Sequence, residues 1–128
     1  MPFRRKGILM PVRKILVVDD IPTHRFMLAG LLSHCQCEVH TASDGPSALR
    51  TAKEIQPDVI FMDITMPEMD GYELARQLRA DAGLSNVKLV AVSAWDCNQE
   101  KLDAVGINQY LRKPVMLRDV CNAGGVVC

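Results

Sequence analysis

Five short apolar runs, each separated from the next by a stretch with helical spacing, restrict this chain more than any other feature. KILVV (14–18), EVHTA (38–42), DVIFM (58–62), VKLVAV (87–92) and NQYL (108–111) read as strands. Between them, apolar residues recur on single helix faces: Leu28, Leu31, Leu32 and Cys35, then Ala48, Ala52 and Ile55, then Leu74, Ala75 and Leu78. Breakers stand where such helices should start or stop, with Pro22 near a first turn, Asp44-Gly45-Pro46 before the second helix, Pro57 before the third strand and Asp70-Gly71 opening the third helix. Strict alternation of strand and helix calls for parallel pairing, and the unbroken apolar character of LVV and VIFM suits strands covered on both faces. Right-handed crossovers then put helices on both sides. The expected fold is therefore α/β, a doubly wound sheet of five parallel strands.

A length of 128 residues fits one domain with a core that needs neither metal nor disulfide staples. Lysine plus arginine and aspartate plus glutamate each number 15, so no overall field draws the chain to nucleic acid or to an anionic membrane. The basic start, Arg4, Arg5 and Lys6, is too short and too weakly followed by apolar residues for a membrane span or signal peptide, and reads as a solvated tail. Five cysteines, Cys35, Cys37, Cys97, Cys121 and Cys128, form an odd set without a secretory leader, which points to thiols in a reducing cytoplasm. Cys35-x-Cys37 has the wrong spacing for a zinc knuckle. His24, His34 and His40 show no metal-ligand spacing and read as surface or partly packed residues.

In an open parallel sheet, ligands bind outside the carboxyl ends of the strands, where the winding reverses. The polar residues at those ends are Asp19 and Asp20 after the first strand, Asp63 after the third, Ser93 after the fourth and Lys113, followed by Pro114, after the fifth. Three acids brought together cannot all stay charged cheaply: one holds its proton, or a cation neutralises them. Magnesium, which takes a few carboxylate oxygens together with water and phosphate oxygens, suits an open cluster of this kind. Pro114 is compatible with a cis Lys113–Pro114 bond.

The set resembles the receiver domain of two-component response regulators. "DITMPEMDG" (63–71) is similar to the loop that follows that family's phosphoacceptor aspartate, and "YLRKP" (110–114) is similar to its fifth-strand signature. The resemblance implies a flavodoxin-like strand order 2-1-3-4-5, with a lead-in over 1–13, the receiver over 14–123 and a short tail over 124–128. It implies that Asp63 accepts a phosphoryl group from a sensor histidine kinase or a histidine phosphotransfer protein, and that the domain signals to an output partner. By the same resemblance, Asp20 and Asp63 bind Mg2+ directly, Asp19 holds it through water, and the Thr65 carbonyl completes the protein's share of the shell. Lys113 and Ser93 would contact the phosphoryl oxygens, and Tyr110 would report the state of Ser93. Such a domain is a signalling phosphoacceptor that assists its own phosphorylation, not a stand-alone enzyme.

The chain departs from the family in two places. The interval from Ser93 to Lys113 is slightly short, and "WDCNQEKLDAVG" has few apolar residues, so a short fourth helix is expected. The fifth helix should stop early, at Gly124 and Gly125. A free single-domain regulator and a receiver taken from a longer regulator or a hybrid kinase both fit the resemblance, and the glycine-rich end and the lead-in lean toward the second. From other classes, an aspartyl-phosphate hydrolase would want an acid two residues after Asp63, where Thr65 stands, and a degenerate receiver would lack some of the site residues that are present here. Nucleotide binding lacks both a G-x-G-x-x-G stretch and a Walker loop.

Overall fold

In the computed structural model residues 12–127 are described throughout; ahead of them, Phe3–Arg5 and Ile8–Met10 pair as an antiparallel hairpin. Lys6 and Cys128, and the side chains of the lead-in read as a solvated tail, lie outside the described residues. The main sheet has five parallel strands, β1 (Arg13–Val18), β2 (Cys37–Ala42), β3 (Val59–Asp63), β4 (Lys88–Ser93) and β5 (Gln109–Arg112), in the order β2-β1-β3-β4-β5. The helices are α1 (Pro22–Leu32), α2 (Gly45–Ile55), α3 (Gly71–Ala80), α4 (Gln99–Ala104) and α5 (Leu117–Gly124), with a short 3-10 turn at Ala82–Leu84. No helix among the described residues is long and apolar enough to cross a membrane.

Side chains alternate across the strands, so each strand feeds two cores. Ile15, Val17, Val59, Phe61, Val90 and Val92 meet Leu28 and Leu32 of α1 and Val120 and Ala123 of α5 on one face. Leu16, Val18, Ile60, Met62, Leu89 and Ala91 meet Ala48, Ala52, Leu74, Ala75, Leu78 and Leu102 from α2, α3 and α4 on the other. Every residue of β3 is buried, as an apolar central strand requires. Pro22 opens α1, while Asp44 and Asp70 cap α2 and α3 by accepting the N–H groups of Ser47 and Glu73. Gly71 answers to a close approach: a Cβ there would lie 2.7 Å from the Asp63 carbonyl oxygen, so only glycine lets α3 start against the end of β3.

The short helices are held by polar contacts, local at α4 and from distant positions at α5. α4 has six residues, and Asn98 caps it by accepting the N–H groups of Glu100 and Lys101. α5 has eight and ends with Gly125 in the left-handed region. Its last carbonyls take hydrogen bonds from two cations at the starts of β1 and β4, Arg13 Nη2 to Gly124 O at 3.2 Å and Lys88 Nζ to Ala123 O at 2.7 Å, where the helix dipole favours positive charge. Cys35, past the end of α1, brings its Sγ to 3.1 Å from that of Cys121 on α5.

Candidate functional site

The winding reverses between β1 and β3, which opens the crevice at their carboxyl ends. Asp19 and Asp20 follow β1 directly, Asp63 closes β3, Ser93 closes β4 and Lys113 follows β5, so the five residues converge on one edge of the sheet. Asp19, Asp63 and Ser93 are the buried polar or charged residues among those described, each 5% exposed or less. Burial of this kind is costly unless partners are supplied.

Partners are in fact supplied. Lys113 Nζ donates to Asp19 Oδ2 at 3.1 Å and Asp63 Oδ2 at 3.2 Å, and its own N–H donates to the Ser93 carbonyl at 2.8 Å, tying β5 to β4. Asp19 Oδ1 accepts the Ile21 N–H, and Asp63 Oδ1 accepts that of Thr65. Ser93 Oγ accepts the N–H of Trp95, whose indole is 70% exposed at the rim. The Lys113–Pro114 peptide is cis. Tyr110 is partly buried against the core, with its hydroxyl 3.5 Å from Asp96 Oδ1, at the long limit of a hydrogen bond.

The acids can hold a hard cation. Asp19, Asp20 and Asp63 each offer a carboxylate oxygen, and these oxygens all lie within 4.8 Å of one another. Asp20 Oδ1 is buried without a hydrogen-bond partner, an acceptor left open inside an acidic cluster. Burial first, and then the charge of Asp19, hold the Asp63 carboxyl above the usual carboxylate range, against the opposing pull of Lys113 and the Thr65 N–H. An all-oxygen set of this kind suits a magnesium-type ion rather than a thiophilic one.

Two features escape any sequence pattern. His24 of α1, partly packed as expected, brings Nδ1 to 2.9 Å from Lys113 Nζ, a contact that nothing in the sequence pattern marks. A cleft of about 330 Å³ opens beside this contact, lined by Met27, Leu28, Val92, Pro114 and Val115 among others. Met27, which lines it, is exposed, as are Ile21, Phe26 and Met116 elsewhere on the surface.

A parallel five-stranded sheet in this order, with an acidic cluster and a lysine brought to its carboxyl edge, defines a receiver-type fold. Residues 15–123 match the family model of the response regulator receiver domain, and the chain belongs to that family. It is 36% identical over 104 residues to Protein PilH of Pseudomonas aeruginosa, covering 80% of this chain and 86% of that protein. It is likewise 36% identical over 104 residues to the response regulator PleD of Caulobacter vibrioides, of which it spans only 23%. Among solved structures it resembles the receiver domain of the sensor histidine kinase PA1611 from Pseudomonas aeruginosa, which has a magnesium ion coordinated in its active-site cleft. That likeness has a TM-score of 0.77 and 29% identity, and covers 90% of this chain and 99% of that one.

Proposed function

We propose that this chain is a working phosphoacceptor, in which Asp63 takes a phosphoryl group from a histidine kinase or histidine phosphotransfer protein and thereby switches a partner-binding surface. The observation that carries this reading is that the buried polar residues, Asp19, Asp63 and Ser93, all belong to one cluster completed by Lys113. An Asp63 oxygen attacks phosphorus, a new P–O bond forms as the donor's P–N bond breaks, and the bonding pair leaves with the imidazole. An aspartate is a weak nucleophile, so the rate depends on placement and on neutralising the equatorial oxygens. Lys113 already stands beside Asp63 and can follow the incoming group on its mobile stem. Ser93 uses Oγ as an acceptor and keeps its hydroxyl proton to donate.

Asp19, Asp20, Asp63 and the Thr65 carbonyl would hold Mg2+, which supplies positive charge against the phosphoryl oxygens. In the structural relative PA1611, magnesium occupies the active-site cleft. Thr65 carries no acid/base group, so nothing here favours a hydrolase cycle. Ile21, Phe26 and Met116 are exposed apolar side chains that a donor can cover, in a cytoplasmic setting. Occupation of Asp63 would draw Ser93 toward the phosphoryl group and let Tyr110 move inward, a shift between two packings.

Asp20→Ala tests the metal part of this reading. It removes the open acceptor without touching Lys113, so Mg2+ affinity should fall about tenfold or more, as even outer-shell changes cost that much, and labelling by acetyl phosphate should be lost. Unchanged labelling of this variant would defeat the assignment.

A further inference from the structure

The Lys113 ammonium has three N–H bonds and meets three acceptors: His24 Nδ1 at 2.9 Å, Asp19 Oδ2 at 3.1 Å and Asp63 Oδ2 at 3.2 Å. An ammonium has no lone pair, so Nδ1 must accept, and the ring proton of His24 resides on Nε2. This third contact is the shortest of the set and the one made by an uncharged group. It comes from the first turn of α1, whose start is fixed from several sides. Pro22 opens the helix, Arg25 Nη1 donates to the Asp19 carbonyl at 2.8 Å, and Leu28 and Leu32 anchor the buried face. The imidazole is thus presented by a rigid element tied to the same strand end that carries Asp19.

We propose that His24 is a positioning residue for phosphoryl transfer, holding the Lys113 ammonium beside Asp63 through Nδ1; this rests on the phosphoacceptor reading above. Attraction between an ammonium and two carboxylates is strong but poorly directional, and a lysine head on a four-carbon stem can satisfy it from many places. A third acceptor selects one of them. A neutral acceptor does so without competing for the ammonium as a further acid would. When a phosphoryl group arrives on Asp63, Lys113 must exchange a carboxylate contact for a phosphoryl oxygen. His24 is not consumed in that exchange and keeps one N–H of the ammonium throughout, so the lysine turns about a fixed point rather than searching for its place.

The test uses the full chain with Mg2+ and acetyl phosphate, comparing wild type, His24→Leu and His24→Asn. Leucine has no acceptor, and its labelling rate should fall about three- to tenfold, the loss of one modest hydrogen bond. Asparagine can set its side-chain carbonyl oxygen near the place of Nδ1 and should recover most of the rate, which a role in packing alone would not produce. Nitrogen NMR supplies a readout independent of turnover: His24 should show a proton on Nε2 and an Nδ1 signal that shifts in Lys113→Met. Equal rates for wild type and His24→Leu, failure of asparagine to restore the rate, or an Nδ1 signal blind to Lys113 would each overturn the proposal. A wild-type chain that takes up no phosphoryl group would sink the phosphoacceptor reading and this inference with it. The NMR result would then still tell whether the contact itself exists.

Discussion

Asp63→Asn is expected to abolish phosphoryl uptake and, in metal-free buffer, to make the fold more stable. The first effect follows because the amide keeps the shape and removes the nucleophile. The second follows from linkage. Burial and the neighbouring Asp19 raise the Asp63 carboxyl above its usual range, so between its unfolded and folded pKa values the native state binds more protons than the unfolded state does. The stability contributed by this group is therefore present at low pH and lost as pH rises through the folded pKa. At neutral pH the ionised Asp63 opposes folding, and asparagine relieves that opposition. Thermal melts in chelator should show the variant melting above wild type at neutral pH, with the gap closing as pH falls into the carboxylate range. A variant that melts below wild type at neutral pH, or a gap that widens on acidification, would show that the acid is not held under strain.

The largest loss of stability away from the core is expected at Arg79. Its guanidinium, near the end of α3, donates to the carbonyls of Gly106, Ser85 and Val87 and to Asn108 Oδ1, and so ties α3 to the segments that lead into β4 and β5. Gly106 lies in the left-handed region against the arginine stem, with no room for a Cβ. Burial lowers the Arg79 pKa from its ordinary value, a sign that the group has given up water for these carbonyls. Arg79→Met keeps the apolar stem and leaves several partly buried acceptors unpaired, which should cost about 2–3 kcal/mol in urea unfolding. Lysine should recover less than half of this, since one ammonium cannot span the fork. A loss below about 0.5 kcal/mol would place the arginine among ordinary surface residues. β4 and β5 end in Ser93 and lead to Lys113, so the clip also supports the site at its far end.

The sheet and the acidic cluster were legible in the sequence because both are written locally. An unbroken apolar run such as VIFM, a cap such as Asp70 before Gly71, and a polar residue immediately after an apolar run are each visible within a few positions. The observed strand limits differ from the runs by a residue or so, as at β5, which runs over Gln109–Arg112 rather than 108–111. The short α4 and α5 were legible from their lack of apolar residues and from Gly124-Gly125.

What could not be read is what depends on distant pairs. His24 and Lys113 are 89 positions apart, Arg13 and Gly124 are 111 apart, and Arg79 reaches Gly106 across 27. A lone histidine or arginine on a helix carries no mark of the carbonyl, carboxylate or ammonium that the fold will set against it. The hairpin of Phe3–Arg5 and Ile8–Met10 was missed for a related reason: three-residue strands are too short to show a period. Asn98 was passed over as a cap because the helix it opens has so weak an apolar face.

Whether Asp63 is the acceptor can be read from the intact mass of the chain after incubation with Mg2+ and acetyl phosphate. One phosphoryl adduct is expected, which requires Mg2+, is released by hydroxylamine and maps to Asp63. No adduct, an adduct indifferent to Mg2+, or an adduct that persists in Asp63→Asn would contradict the assignment.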